Sequence, residues 1–292
     1  MKIYAFKIDS PDGGAAISFE EVINYLNGLP LDQRHNSEMR LEEVQTSSRR
    51  YRLEFSRLRN AVLPGKATQQ TPTQALGLAA NESVSEETAA LFCSVTNTLV
   101  VQFNMFGPQR GSIQDYMNFF SLHAARALGR PNPAGRCFDI AAYINQNVQA
   151  QFNRLQLFRR LEMKVATPPV SNQQRQAGLS LGAVVDMGLA GGTQDAVIEL
   201  SAGRKKASTL SPQFVSSALR FLRGSGAGHV EKLRVTGKQH QDAAIEELDL
   251  VDAILKAESR VAPGGDRRLP RFSRWQALED TLEQWRRDGL LP

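Results

Sequence analysis

The chain is poor in the residues that most catalytic and metal chemistries require. It has two cysteines, four histidines and two tryptophans in 292 residues. Cys93 and Cys137 are too few for a disulfide framework, and each lies in apolar, strand-like surroundings where a buried free thiol is expected. The histidines at 35, 123, 229 and 240 show no metal-ligand spacing, and the cysteines add none. Neither Gly-Gly-Thr at 191–193 nor any other glycine cluster makes a P-loop or a dinucleotide fingerprint. No serine stands in a nucleophile elbow, and no convincing kinase motif occurs. No cofactor is therefore expected. A run of about 18 apolar residues is also missing, which argues against a membrane-spanning helix. The start, MKIYAFKIDSPDGG, reads as a short alternating strand without a signal peptide's apolar block or cleavage site. With so little cysteine, a cytoplasmic location is expected.

Hydrophobic content of 41% is enough to form a core. The most informative stretch is Thr96 to Phe120, TNTLVVQFNMFGPQRGSIQDYMNFF. Thr98, Val100, Gln102 and Asn104 alternate with Leu99, Val101, Phe103 and Met105, as in a half-buried strand. Gly107-Pro108 stops that strand, since proline donates no N–H and glycine tolerates positive φ. Ser112 and Asp115 then stand at capping spacing before the apolar run of Ile113, Tyr116, Met117, Phe119 and Phe120.

In the order of its elements this stretch resembles the Rex-type phage exclusion proteins. The likeness continues through Arg136-Cys137-Phe138-Asp139-Ile140, a helix from Asn145 to Leu157, the strand RLEMKVA at 160–166 and VEKLRVTG at 230–237, covering about residues 90–255. None of these motifs is diagnostic alone, and the resemblance carries no catalytic residue. It implies sequence-tolerant binding of double-stranded DNA by a homodimer, in a phage defence system acting with a separate membrane-channel partner.

Charge distribution supports a polyanion partner independently. The net charge is only +5, but it is segregated. Arg49, Arg50, Arg52, Arg57, Arg59 and Lys66 face one acid, Glu54, in the first block. Arg204, Lys205, Lys206, Arg220, Arg223, Lys232, Arg234 and Lys238 face Glu231 in the second. Residues 241–259 then reverse the sign, with six acids against Lys256. Lysine and arginine gain affinity by releasing counterions from phosphates, which needs no particular base sequence. The plain alternatives are solvated faces, an edge strand guarded by Arg50 and Arg52, or a surface for an acidic protein partner. In the second block, period 2 puts Val230, Lys232 and Arg234 on one face of a strand and Glu231, Leu233 and Val235 on the other. Arg220 and Arg223 fall off the apolar stripe of a helix that begins at Ser211-Pro212 and ends at Gly224.

The expected fold is α+β, with mixed or antiparallel sheets, flanking helices and two subdomains. An N-terminal domain at 1–166, a linker at 167–177 and a C-terminal domain at 178–292 are expected from the Pro-Pro and polar stretch after Ala166. A last helix, Ser273 to Asp288, has Ser273 and Gln276 as a capping box. It carries the stripe Trp275, Leu278, Leu282 and Trp285, which either packs on its own domain or joins two copies. One catalytic alternative stands. Glu162 and Lys164 share a strand face and, with Asp139, resemble the Asp…Glu-x-Lys set of metal-dependent nucleases, although Glu-x-Lys is common on solvent-facing strands.

Overall fold

The computed structural model describes residues 1–10, 17–36, 39–59, 64–66, 69–79, 81–133, 135–166, 195–203, 205, 208–223, 230–265 and 268–292. Among them the fold is α+β, with five helices and two antiparallel sheets of eight and four strands. The chain forms two compact units, residues 1–140 with 257–292 and residues 141–256. This differs from a boundary at 166. Strand β8 (Leu157–Ala166) does not close the first sheet but lies inside the second. The C-terminal segment, in turn, returns to the first unit. The expected linker at 167–177 lies outside the described residues.

The first sheet contains β1 (Lys2–Asp9), β2 (His35–Asn36), β3 (Met39–Ser47), β4 (Arg50–Arg59), β5 (Val84–Cys93) and β6 (Thr98–Gln102). Two short strands, β7 (Asp139–Ala142) and β12 (Lys256–Glu258), complete it. Its order is β12-β1-β6-β5-β4-β3-β2, with β7 also on β1. The β3–β4 hairpin turns through Ser48 and Arg49, both at positive φ (48° and 63°), the backbone that two-residue hairpins favour.

Two helices cover one face. Helix α1 (Phe19–Gly28) starts on a Ser18/Glu21 capping box and buries Phe19, Val22, Ile23 and Leu26. Helix α2 (Arg110–Ala127) buries Ile113, Tyr116, Met117 and Phe120. Phe19 meets Phe92 at 4.9 Å, and Tyr116 meets Phe55 edge-on at 6.0 Å between ring centroids. The Tyr116 hydroxyl donates to the Arg34 carbonyl at 2.6 Å and accepts from the Leu41 N–H at 3.0 Å. Helix α2 begins two residues before the expected Ser112 cap, because Pro108 and Gln109 already open it. Gln114 and Asn118, one turn apart, then act toward residues 137–140 as a neighbouring strand would. Gln114 Oε1 accepts from Ile140 N at 2.7 Å, and Asn118 Oδ1 accepts from the N–H groups of Cys137 and Phe138.

Helix α5 (Arg271–Arg287) packs on the first sheet and is capped at Pro270 rather than Ser273. Trp275, Leu278, Leu282 and Trp285 are all buried, and Trp275 Nε1 donates to the Leu53 carbonyl at 3.0 Å.

The second unit holds helix α3 (Gln146–Arg154), β8, β9 (Asp195–Ser201), helix α4 (Pro212–Arg223), β10 (Val230–Lys238) and β11 (Glu246–Asp249). Its sheet order is β11-β10-β8-β9. Leu161, Met163, Val165, Leu233 and Val235 are buried in it, as are Val215, Ala218, Leu219 and Leu222 of α4, which contacts β8 and β10. A bulge between Val230 and Lys232 corrects the strict alternation read from sequence: Val230 turns inward with Leu233 and Val235, while Glu231 is exposed. At the ends of this unit, residues 143–145 and 253–255 pair backbone to backbone, with Asn145 N to Ala253 O at 2.8 Å and Leu255 N to Tyr143 O at 2.9 Å.

Candidate functional site

The first basic block is largely engaged within its own fold. Arg52 makes a two-pronged bond to Glu279 of α5, at 2.9 and 2.8 Å, and lies over the Phe272 ring at 5.4 Å. Arg50 pairs with Glu283. These two arginines therefore dock a helix rather than guard an open edge. Arg57 donates to Ser112 Oγ at 2.9 Å, Arg59 ends β4 opposite Val84, and Arg49 is exposed in the hairpin turn.

Beneath α5 lies an ionic cluster that the sequence pattern did not reveal. Arg274 is buried and donates to Glu54 at 2.7 Å, Gln102 at 3.3 Å and Glu87 at 3.0 Å. Arg271 pairs with Glu43 and approaches Glu54 Oε2 at 3.7 Å, and Arg268 pairs with Glu87 at 3.1 Å. Burial pushes the Glu54 carboxyl up to about 7, outweighing the Arg274 guanidinium that lowers it. The cluster is charge-balanced and lies under a packed helix. It reads as a structural lock.

The stripe read as a dimer contact is used up by the same helix. Trp275 is 1% exposed and Leu278 fully buried within a single chain, so these side chains are not available to a second copy. Strands β5 and β6 give the stripe its partner, with Ala89 and Leu91 of β5 directly opposite Glu54 and Arg52.

In the second unit, the outward face of the sheet is a lattice of paired charges. Lys232 pairs with Glu162 at 2.7 Å, Lys164 with Glu231 at 2.5 Å, Arg234 with Glu247 at 3.1 Å and Arg160 with Glu199 at 3.0 Å. The Lys232 ammonium holds the Glu162 carboxyl below the usual carboxylate range. Glu162 and Lys164 do share a face, but each is taken by a partner across β10. Asp139 belongs to the first unit and pairs with Arg136. Among the described residues, no group of three His, Cys, Asp or Glu side chains is arranged to hold a metal ion.

One region differs. At the end of the sheet where β8 begins and β9 and β10 finish, Arg154, Arg159, Lys205 and Lys238 come together through the chain path. Leu157 pairs with Lys238, Gln156 N donates to Lys238 O, and the segment after β9 returns to β8 through Leu210 N to Phe158 O at 2.7 Å. Arg154, Lys205 and Lys238 form no salt bridge among the described residues; Lys238 Nζ donates to the Gln241 carbonyl at 3.1 Å. Arg204 and Lys206 lie outside the described residues. Arg220 and Arg223 sit near the far end of α4, eight and eleven positions beyond Pro212, or roughly 12–16 Å along the axis. They therefore do not join Lys205, and Lys232 and Arg234 belong to the paired face. Arg154 and Arg159 were missed in the sequence because they lie outside both basic blocks; no local signal marks them.

This architecture defines an α+β protein of two antiparallel-sheet units, one interrupting the other in the chain, with a basic end on the interrupting unit. The chain belongs to a family of unknown function, DUF6731, whose model matches residues 18–261 and so extends into both units. No curated protein matches it. Among the described residues no helix is long and apolar enough to cross a membrane.

Proposed function

We propose that this protein binds double-stranded DNA through phosphate contacts, with little sequence preference and without catalysis, using the basic end of its second unit. The observation that carries the reading is local charge imbalance. Arg50, Arg52, Lys232 and Arg234 of the two blocks are matched by carboxylates, whereas Arg154, Lys205 and Lys238 lie at one sheet end without such partners among the described residues. Unmatched cations are the ones free to displace counterions from a duplex. A role in phage exclusion, as a homodimer acting with a separate membrane protein, rests on the Rex-type resemblance. Any dimer must use a surface other than the α5 stripe.

Titrating unrelated duplexes across a potassium chloride series tests this, with and without Mg²⁺. Similar affinities for all duplexes, falling steeply with salt and leaving the strands intact, are expected. Lys205→Ala with Lys238→Ala should weaken binding to every duplex and lower the salt slope. Salt-insensitive binding, or none at low salt, rules the reading out. Strand cleavage that needs Mg²⁺ and disappears in Lys164→Ala would favour a nuclease instead.

A further inference from the structure

A sheet edge resists pairing with another chain when it is short, bulged, or guarded by lysine or proline. The outer strands β2, β12 and β11 have only two, three and four residues. Strand β9, the outer strand of the second sheet, has seven. All seven pair with β8 without a register shift, and the sequence DAVIELS holds neither proline nor lysine. Val197 stands 64% exposed on it. Among the described residues no strand pairs with the other side of β9. The direction of its backbone groups follows from one bond. Ala202 N donates to Arg159 O at 2.9 Å, so the bonds toward β8 fall on even-numbered positions. The N–H and C=O groups of Val197, Glu199 and Ser201 therefore point to the open side.

We propose that this edge joins two copies of the chain, β9 to β9 about a two-fold axis, into one continuous antiparallel sheet of eight strands. This gives the homodimer of the preceding reading its surface and rests on that part of it; DNA contact is not involved. The register is what selects a second copy. Opposite residues of an antiparallel pair share a face, so one residue must stand opposite its own copy at the axis. Centred on Ile198, all seven residues pair. Ile198, buried and in register with Met163, then meets a second Ile198, and Val197 stands opposite Glu199 of the second copy. Centred on Glu199, two carboxylates would oppose each other. Centred on Val197, Leu200 and Ser201 would fall outside the pairing.

The test follows the full chain through a dilution series by light scattering and amide exchange. A dimer should form as concentration rises. With it the amides of Val197, Glu199 and Ser201 should gain protection, while those of Ile198 and Leu200 stay protected at every dilution. Val197→Glu sets two like-charge pairs across the axis and should weaken the dimer about tenfold. Val197→Lys sets opposite charges there and should hold the dimer at least as tightly as the parent. Within one chain Val197 lies opposite Lys164, so glutamate suits the fold better than lysine, and a dimer lost in Val197→Glu is not lost through misfolding. A parent that is monomeric at every concentration overturns this proposal and the homodimer reading together. A dimer that ignores Val197→Glu, or that leaves the three odd-numbered amides unprotected, overturns the β9 edge alone.

Discussion

Glu54 shows how far a single side chain can depart from what its neighbours in sequence suggest. It follows Arg50 and Arg52 on alternate positions of β4 and looks like the lone acid of a basic block. In the fold it is fully buried and faces Arg274, with Glu87, Arg271 and Gln102 around it. Its carboxyl is raised to about 7 from an ordinary 4.5 by burial. A raised folded value means the contribution to stability is fully present below pH 4.5 and is lost as pH rises through 7. The stability difference between the parent and Glu54→Gln should therefore fall between pH 5 and pH 8, by up to about 3 kcal/mol at about 1.4 kcal/mol per pKa unit. Urea midpoints at the two pH values measure it; a difference that stays flat removes Glu54 as the titrating group. The alternation of β4 was legible in sequence, but the nature of its polar face was not. Arginine on a strand faces water or a carboxylate equally well until the partner element is known.

At the scale of elements, helix α5 was readable as amphipathic from Trp275, Leu278, Leu282 and Trp285 alone. What covers those residues lies far back in the chain on β5 and β6, and Trp275 also bonds to Leu53 of β4, 222 positions away; no local pattern encodes that separation. Since Leu278 is fully buried, Leu278→Ala should cost about 2–5 kcal/mol, read from denaturant unfolding. An unchanged midpoint would mean that α5 is dispensable to the first unit. The corner before α2 is a second such point. A Cβ on Gly107 would stand 2.5 Å from Thr88 Oγ1 and 2.7 Å from Asn104 Nδ2. Gly107→Ala should therefore destabilise by about 1–3 kcal/mol, measured in the same way; a stabilised variant would show that the corner has room. Sequence located that corner correctly but explained it by φ, whereas close packing is the stronger demand. The β10 bulge escaped for a related reason: one extra residue leaves composition intact while reversing which side chains face the core.

For the whole molecule, sequence reading recovered the α+β class and the presence of two units but misplaced the boundary. The Pro-Pro stretch after Ala166 looked like a linker because its composition is that of one. The actual division falls at residues 140 and 257, within ordinary strand sequence. Because 143–145 and 253–255 pair with each other, the second unit closes on itself. A fragment of residues 141–256 should fold alone, giving dispersed amide resonances and cooperative unfolding; a collapsed, uncooperative fragment would show that it depends on the rest. Helix α5 has another consequence, in the order of events during synthesis. The strands of the first sheet leave the ribosome early, but the helix that covers Glu54 and Leu53 is made only after the intervening unit. At about 5–20 residues per second, the nascent sheet spends roughly ten to forty seconds with that face bare. Arg50, Arg52 and Glu54 put charge among the apolar Ala89 and Leu91 of that face, and charge of this kind discourages a bare sheet from associating until its own last helix arrives.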